Sequence, residues 1–373
     1  MPLFLDAPNL GEREKMKLVE CVDSTYVSTA GPFVPEFENS FARFLGVETA
    51  VSVQSGTAAL HIALVELGIG PGDEVIVPAL SFVATVNPVL YTGATPVFVD
   101  VDPGTWTMDP LKVSQAITER TRAIIPVHLY GNPCDMDALQ AIAGENRIAI
   151  VEDATESLGA KWKGLPTGTI GDFGCYSFNG NKFITTGGGG MVVARDRKRA
   201  DHIRFLVNQA RDAAKGYFHE ELGYNYRMTN LEASLGLAQM ERLEEFLERK
   251  RRFAAIYHEE LEGLEGVEFQ KEFSQAKSSW WLPSLSIRSG IGDIPFLQSE
   301  MKKLGIPTRR LFGPMVDYPY LRGFLKHDDY PVARSLFETG LNLPASTLNS
   351  DEETVQAAKS IWGILSRGIA TSK

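Results

Sequence analysis

Seven short apolar runs, at residues 51–53, 74–78, 95–100, 123–128, 148–151, 173–178 and 191–194, punctuate the first half of the chain. The earlier ones are separated by helix-compatible segments such as residues 135–143, and the segment after Thr57 sets Ala58, Ala59, Ile62, Ala63 and Leu67 at helical spacing. Parallel strands need long crossovers, usually helical, so this alternation predicts an α/β fold with a mostly parallel sheet of the seven-stranded type between helices. In such sheets ligands collect in the crevice beyond the carboxyl ends of the strands. Residues 195–210 read as a further helix. Residues 231–261 read as one long bridging helix, apolar on one face and charged on the other through Glu241, Glu244, Glu245, Glu248, Arg249 and Lys250. A strand at 281–287, helices at 295–304 and 351–365 and the loops between them give the α+β pattern of a smaller C-terminal domain. The expected division is a large domain over 1–240, with an N-terminal helical segment, and the bridging helix plus small domain over 241–373.

Charge and composition narrow the function. With 37 basic against 47 acidic residues the net charge is −10, which argues against nucleic acid or an anionic membrane as the main partner. No apolar run approaches the roughly 20 residues that span a bilayer, and the N-terminus lacks the basic start and apolar core of a secretory signal. A cytoplasmic protein is expected. Cys21, Cys134 and Cys175 are odd in number and far apart, so they read as packing residues rather than a disulfide framework. His61, His128, His202, His219, His258 and His327 show no metal-ligand spacing, and no metal is expected.

The chemistry concentrates in residues 148–193. One run ends in Glu152 and Asp153; another ends in Ser177, Phe178, Asn179 and Asn181, with Lys182 next and the glycines 187–190 after it. A carboxylate and an amine are thereby offered at two strand ends. A lysine that forms a Schiff base with an aldehyde cofactor needs an acidic group to keep a proton on the cofactor's pyridine nitrogen, and Asp153 suits that role. Lys182, once released by an amine substrate, can carry protons as base and acid. The turn Ser55-Gly56-Thr57 joins a strand to a helix. It reads either as a plain N-cap or as an anion site, where Gly56, Thr57 and Ser177 supply N–H and hydroxyl donors. Phe82 is either core or a ring for stacking on a planar ligand. His128 reads as a packed, hydrogen-bonded histidine. The loop 26–32, with Ser28, Thr29 and Gly31, is either a connection or a ligand contact. Gly68-Ile69-Gly70-Pro71-Gly72 follows a helix and contains proline, so it is a turn and not a dinucleotide fingerprint; Ser177 lies in no Gly-x-Ser-x-Gly setting.

The stretches SGTAAL, PALSFVAT, PVFVDVDP, VHLYGNPCDMDAL, VEDATESLGA, GDFGCYSFNGNK, GYNYRMTNLEASLGLAQ and GLNLP together make the chain, from about Pro8 to the C-terminal helix, resemble the DegT/DnrJ/StrS sugar-nucleotide aminotransferase family. The resemblance implies the fold type I architecture of pyridoxal 5'-phosphate enzymes. It gives Lys182 the Schiff-base role, Asp153 the pyridine nitrogen and Glu156 a place beside the cofactor's phenolic oxygen. Gly56, Thr57 and Ser177 become the phosphate cradle, with Asn179 also in the cofactor site, and Phe82 becomes the stacking ring. Asn225 becomes a phosphate contact from the second subunit of a homodimer with shared active sites. Family members that act as dehydratases replace the lysine with histidine; this chain keeps Lys182, which favours transamination. The implied substrates are L-glutamate and a keto sugar, taken here as a nucleotide-linked 4-keto-6-deoxy sugar aminated at C4, with residues 26–31 and 309–320 expected to border the sugar pocket and Ser28, Thr29, Arg309 and Arg310 as candidate contacts. An 8-keto octulosonate is the alternative acceptor, and a non-catalytic regulatory protein the alternative class.

Overall fold

The structure, a computed structural model, describes residues 3–288, 293–325 and 330–371. Seven strands build the main sheet: β1 (Val51–Val53), β2 (Glu74–Pro78), β3 (Thr95–Val99), β4 (Thr121–Ile124), β5 (Ala149–Asp153), β6 (Phe173–Ser177) and β7 (Gly190–Ala194), in the order β1-β7-β6-β5-β4-β2-β3. Every neighbouring pair from β3 across to β6 is parallel. Only β7 runs the other way, between β6 and β1. The mostly parallel sheet inferred from the alternation is the one observed, and its strands are buried on both faces, as helix-covered parallel sheets require. The β4 run is shorter than its apolar stretch, because Pro126 has no N–H to extend the ladder. Past it, Val127 forms only an isolated bridge with Asp153.

Helices α1 (Glu12–Asp23), α2 (Phe33–Leu45) and α3 (Gly56–Glu66) precede or interleave with the strands, and α4 (Asn230–Met240) packs on α1 and α2. Asn230 pins the loop between α1 and α2. Its side-chain oxygen accepts from Phe33 N at 2.9 Å and its amide donates to Tyr26 O at 2.7 Å. Gly31 passes this side chain at φ +142, so close that a Cβ would lie 2.4 Å from Asn230 Cγ.

The single helix expected over 231–261 is two helices, α4 and α5 (Leu243–Glu260), broken at Glu241 and Arg242. No glycine or proline marks the break. At Arg242 the backbone turns to φ −112, ψ 0, while its guanidinium and Gln239 both reach Asn9 in the N-terminal segment. Tertiary hydrogen bonds set this kink where local propensity favours continuation. Beyond it, α5 buries Phe246, Leu247 and Phe253 in the main core and Tyr257 in a second core. That second core lies under strands β8 (Val267–Phe269), β9 (Ser284–Ile287), β10 (Arg309–Arg310) and β11 (Gly340–Asn342), paired in the order β8-β9-β11-β10, and under α6 (Asp351–Thr371). No helix among the described residues is long and apolar enough to cross a membrane.

Candidate active site

A cavity of about 230 Å³ opens at the carboxyl ends of the main-sheet strands. Of the two carboxylates at the end of β5, strand alternation sends one each way. Glu152 points away from the cavity, fully buried, and accepts hydrogen bonds from the amides of Gly168, Ile170 and Gly171 at 2.7, 2.7 and 2.6 Å. His128 lies 2.9 Å from it through Nε2, while Nδ1 accepts from Cys134 N at 3.1 Å. The amide at Nδ1 fixes the tautomer with the proton on Nε2, directed at Glu152. His128 is therefore the packed, hydrogen-bonded residue inferred from sequence.

Asp153 faces the cavity and is 3 % exposed. One oxygen accepts from Thr85 Oγ1 at 2.7 Å, and Thr85 Oγ1 is 2.8 Å from Ser81 Oγ. The other accepts from Thr155 through Oγ1 at 2.6 Å and N at 3.2 Å. Both oxygens are thus held in place, with lone pairs left over for a ligand.

Lys182 closes a tight turn after β6, its N–H donating to Asn179 O at 2.9 Å. Its side chain is 14 % exposed, and Nζ lies 3.7 Å from Glu156 Oε1 and 4.0 Å above the Trp281 ring. Burial pushes the Lys182 ammonium below its ordinary pKa. The attractions of Glu156, Asp153 and Asp6 oppose that shift, and the like charge of Arg309 adds to it. A lysine so placed carries more neutral amine at a given pH than one in water. Burial likewise pushes Glu156 up, against the pull of Lys182 and a 2.9 Å hydrogen bond from Tyr130 N.

The third wall is the start of α3. Ser55 caps the helix by accepting from Ala58 N at 3.0 Å, so the N-cap reading of this turn is correct as far as it goes. The amides of Gly56 and Thr57 still have no acceptor inside the helix, as the first turn of any helix dictates. Gly56 has no room for a side chain: a Cβ there would come within 2.9 Å of both Ser177 and Thr155. The result is a concave cradle of backbone N–H groups and hydroxyls at the positive end of a helix dipole, suited to a phosphate.

Most of the residues singled out from sequence meet here. Gly56, Thr57, Phe82, Asp153, Glu156, Ser177, Asn179, Lys182 and Arg309 all line the cavity. Phe82 is 52 % exposed beside Phe312, with ring centroids 5.5 Å apart, which rules out the core reading. Four others lie elsewhere. Arg310 follows Arg309 on β10, so alternation turns it to the far side; it donates to Phe337 O at 2.8 Å, and this places it away from the cavity rather than in it. Ser28 and Asn225 are exposed and Thr29 half-buried, all outside the cavity of their own chain. Thr85, Thr155 and Trp281 line the site without having been anticipated, whereas Phe312 falls within the 309–320 segment expected to border the sugar pocket. Thr85 and Thr155 sit within the PALSFVAT and VEDATESLGA stretches, the first three positions after Phe82 and the second next to Glu156. Trp281 comes from the C-terminal part and left no local signal. Among the described residues no group of three or more His, Cys, Asp or Glu is placed to hold a metal ion; His327 lies outside the described residues.

With this geometry in view, sequence comparison is decisive: the profile of the DegT/DnrJ/EryC1/StrS aminotransferases matches residues 8–361. The chain belongs to that family. GDP-perosamine synthase of Escherichia coli O157:H7 is 42% identical over 355 residues, covering 95% of this chain and 96% of the relative. The GDP-perosamine synthase of Caulobacter vibrioides is 41% identical over 94% of this chain and 96% of the relative. Among solved structures, Spr1654 of Streptococcus pneumoniae, described as a sugar aminotransferase, superposes in its PMP form with a TM-score of 0.94 at 28% identity, covering 100% of both chains. Its PLP form gives 0.93 at 29% identity, covering 99% of this chain and 100% of the other. The chain is an aminotransferase of fold type I, and its cofactor is pyridoxal phosphate. The cavity fits that group: a phosphate cradle at α3, an exposed aromatic face at Phe82, a fixed carboxylate at Asp153 and a buried amine at Lys182.

Proposed function

We propose that this aminotransferase moves an amino group from L-glutamate to C4 of a nucleotide-linked keto-deoxy sugar, in the making of surface-polysaccharide sugars. The observation that carries the reading is the convergence of Asp153, Lys182 and the α3 cradle on one cavity. The perosamine synthases among the relatives support the substrate class. Bound there, pyridoxal phosphate supplies an electrophilic carbon and an electron-withdrawing ring that stabilises negative charge at the substrate carbon. The chain's own residues do the rest. Gly56, Thr57 and Ser177 would hold the phosphate, Phe82 the ring face and Asp153 a proton at the pyridine nitrogen; Glu156 would sit by the phenolic oxygen, with Asn179 alongside. Lys182 Nζ moves the proton to and from the substrate carbon in both halves of the reaction. In this reading residues 1–240 carry the cofactor grip and residues 241–373 close the cavity with Trp281, Arg309 and Phe312.

The substrate is tested with a panel of keto sugars offered to the enzyme and glutamate. Amination confined to nucleotide-linked 4-keto-6-deoxy sugars is expected. Turnover of an 8-keto octulosonate with none of the nucleotide sugars accepted would overturn the assignment.

We further propose a homodimer whose active sites are shared. Asn225 is exposed beyond its own cavity, and α1 shows solvent the apolar side chains of Met16, Val19 and Val22, at 64, 58 and 56 % exposure. If Asn225 serves the partner's site, mixing inactive Lys182→Ala protein with Asn225→Ala protein and letting subunits exchange restores activity. Random pairing makes half the dimers hybrid, and each hybrid has one intact site, so recovery approaches about a quarter of wild type. Recovery no greater than the sum of the two parents would show that each site is built from one chain. The three buried cysteines, all free, suit a reducing compartment, and the cytoplasm is the proposed location.

A further inference from the structure

Trp281 holds Lys182 at both ends. Its indole Nε1 donates at 2.8 Å to Asn181 O, the carbonyl of the peptide group directly before Lys182, while its ring centre lies 4.0 Å from Lys182 Nζ. The tryptophan itself has little room to move. It is 1 % exposed, its own carbonyl accepts from Lys250 Nζ at 2.8 Å, and that ammonium is fixed in turn by Asp6 Oδ1 at 2.7 Å. Tyr130 packs beside the indole, with ring centroids 6.3 Å apart. A lysine amine rides on a flexible stem, so one that must carry protons between fixed atoms needs walls that limit where it goes. Glu156 is one such wall, 3.7 Å from Nζ, and the Trp281 face is the other. The electron-rich face of an indole attracts an ammonium, which makes it a directing surface as well as a barrier.

We infer that Trp281 is a positioning residue for the proton transfers of Lys182: it ties the lysine's backbone and its amine to one rigid ring, so that Nζ stays aimed at the reacting carbon. The inference rests on the aminotransferase reading above. Packing alone would bury the indole, but it requires neither the bond to the Asn181 carbonyl nor a ring face on Nζ. The neighbouring Trp280 shows the difference, since its ring meets His258, with centroids 5.4 Å apart. Trp281 comes from the C-terminal part of the chain, so the amine is aimed only when that part is docked on the main sheet. The effect on rate is large because reacting groups displaced by about 1 Å lose on the order of 10²-fold.

The test follows the glutamate half-reaction of the holoenzyme in single turnovers, with ordinary glutamate and with glutamate carrying deuterium at its α-carbon. In Trp281→Leu the saturated rate is expected to fall by about 10- to 100-fold. The glutamate concentration for half-saturation stays within about threefold of wild type, because the lost interaction serves the transfer and not the binding. The primary isotope effect stays at or above the wild-type value, which places the loss in the proton transfer. Trp281→Phe keeps an aromatic face beside Nζ and loses the N–H, so its rate falls between the two; it carries the test if the leucine variant does not fold. Trp280→Phe leaves rate and isotope effect as in wild type. Cofactor uptake by the apoprotein gives a readout apart from turnover: the absorption change on adding pyridoxal phosphate develops at least about tenfold more slowly in Trp281→Leu. Three results would sink the inference: wild-type rate and uptake in a folded Trp281 variant, a slowed variant whose isotope effect drops below wild type, or a phenylalanine variant no better than the leucine one. A wild-type enzyme that ignores glutamate altogether would instead defeat the aminotransferase reading.

Discussion

Lys182→Ala is expected to lower turnover by at least roughly 10³-fold, since it removes the amine proposed to meet the cofactor and to move protons at the substrate carbon. The variant should also show whether the lysine is merely structural. Its removal leaves Glu156 buried without its 3.7 Å partner, which costs on the order of 1–3 kcal/mol of stability. The expected protein is therefore folded, somewhat less heat-stable and inactive. Normal turnover in a folded Lys182→Ala protein would remove the nucleophile from the account. The environment of Lys182 adds a pH signature. Only the neutral amine attacks an aldehyde, so cofactor uptake by the apoprotein should rise with pH, with a midpoint below lysine's ordinary 10.5, because burial lowers the value. Glu156 works the other way by favouring the charged form, so Glu156→Gln should move that midpoint further down. A midpoint at or above 10.5 would mean that Lys182 is solvated in solution.

The second large effect is at Asp153. Asp153→Asn replaces an acceptor that can hold a proton at the pyridine nitrogen with an amide that cannot, and a loss of about 10²–10⁴-fold is expected. The local hydrogen bonds explain why the fold should survive. The amide oxygen can take the side that accepts from Thr155 N and Oγ1. The NH₂ can then donate to Thr85, whose hydroxyl turns its own proton to Ser81. A thermal midpoint near wild type with activity gone supports the pyridinium role; unaltered kinetics would refute it. Asp153→Ala should be as inactive but less stable, since it strands the Thr155 amide.

The large sheet was legible in the sequence because each parallel strand is a continuous apolar run with turn or helix signals on either side, and the strand ends carried Asp153, Ser177 and Lys182 with them. Gly56 and Thr57 were legible for the same reason: strand, small-residue turn and helix are contiguous. The break between α4 and α5 was not, because residues 239–245 hold no helix breaker and the kink is imposed by Asn9, over 200 positions away. Trp281 was missed on similar grounds, since only the packing of the C-terminal strands against the main sheet carries it to Lys182. The placement of Arg310 turns on strand register. Two adjacent arginines look equivalent in a list of charges, but on β10 one faces the cavity and the other Phe337. The two carboxylates at the end of β5 divide in the same way.

One measurement reaches the central claim most directly. The purified holoenzyme is mixed with excess L-glutamate, and its visible absorption is followed while 2-oxoglutarate is quantified; a nucleotide-linked 4-keto-6-deoxy sugar is then added. The account predicts that glutamate converts the cofactor band with one 2-oxoglutarate released per active site, that the keto sugar returns the band to its starting form, and that Lys182→Ala does neither. A band that glutamate leaves unchanged in the wild-type enzyme, or that reverts without formation of an amino sugar, would contradict it.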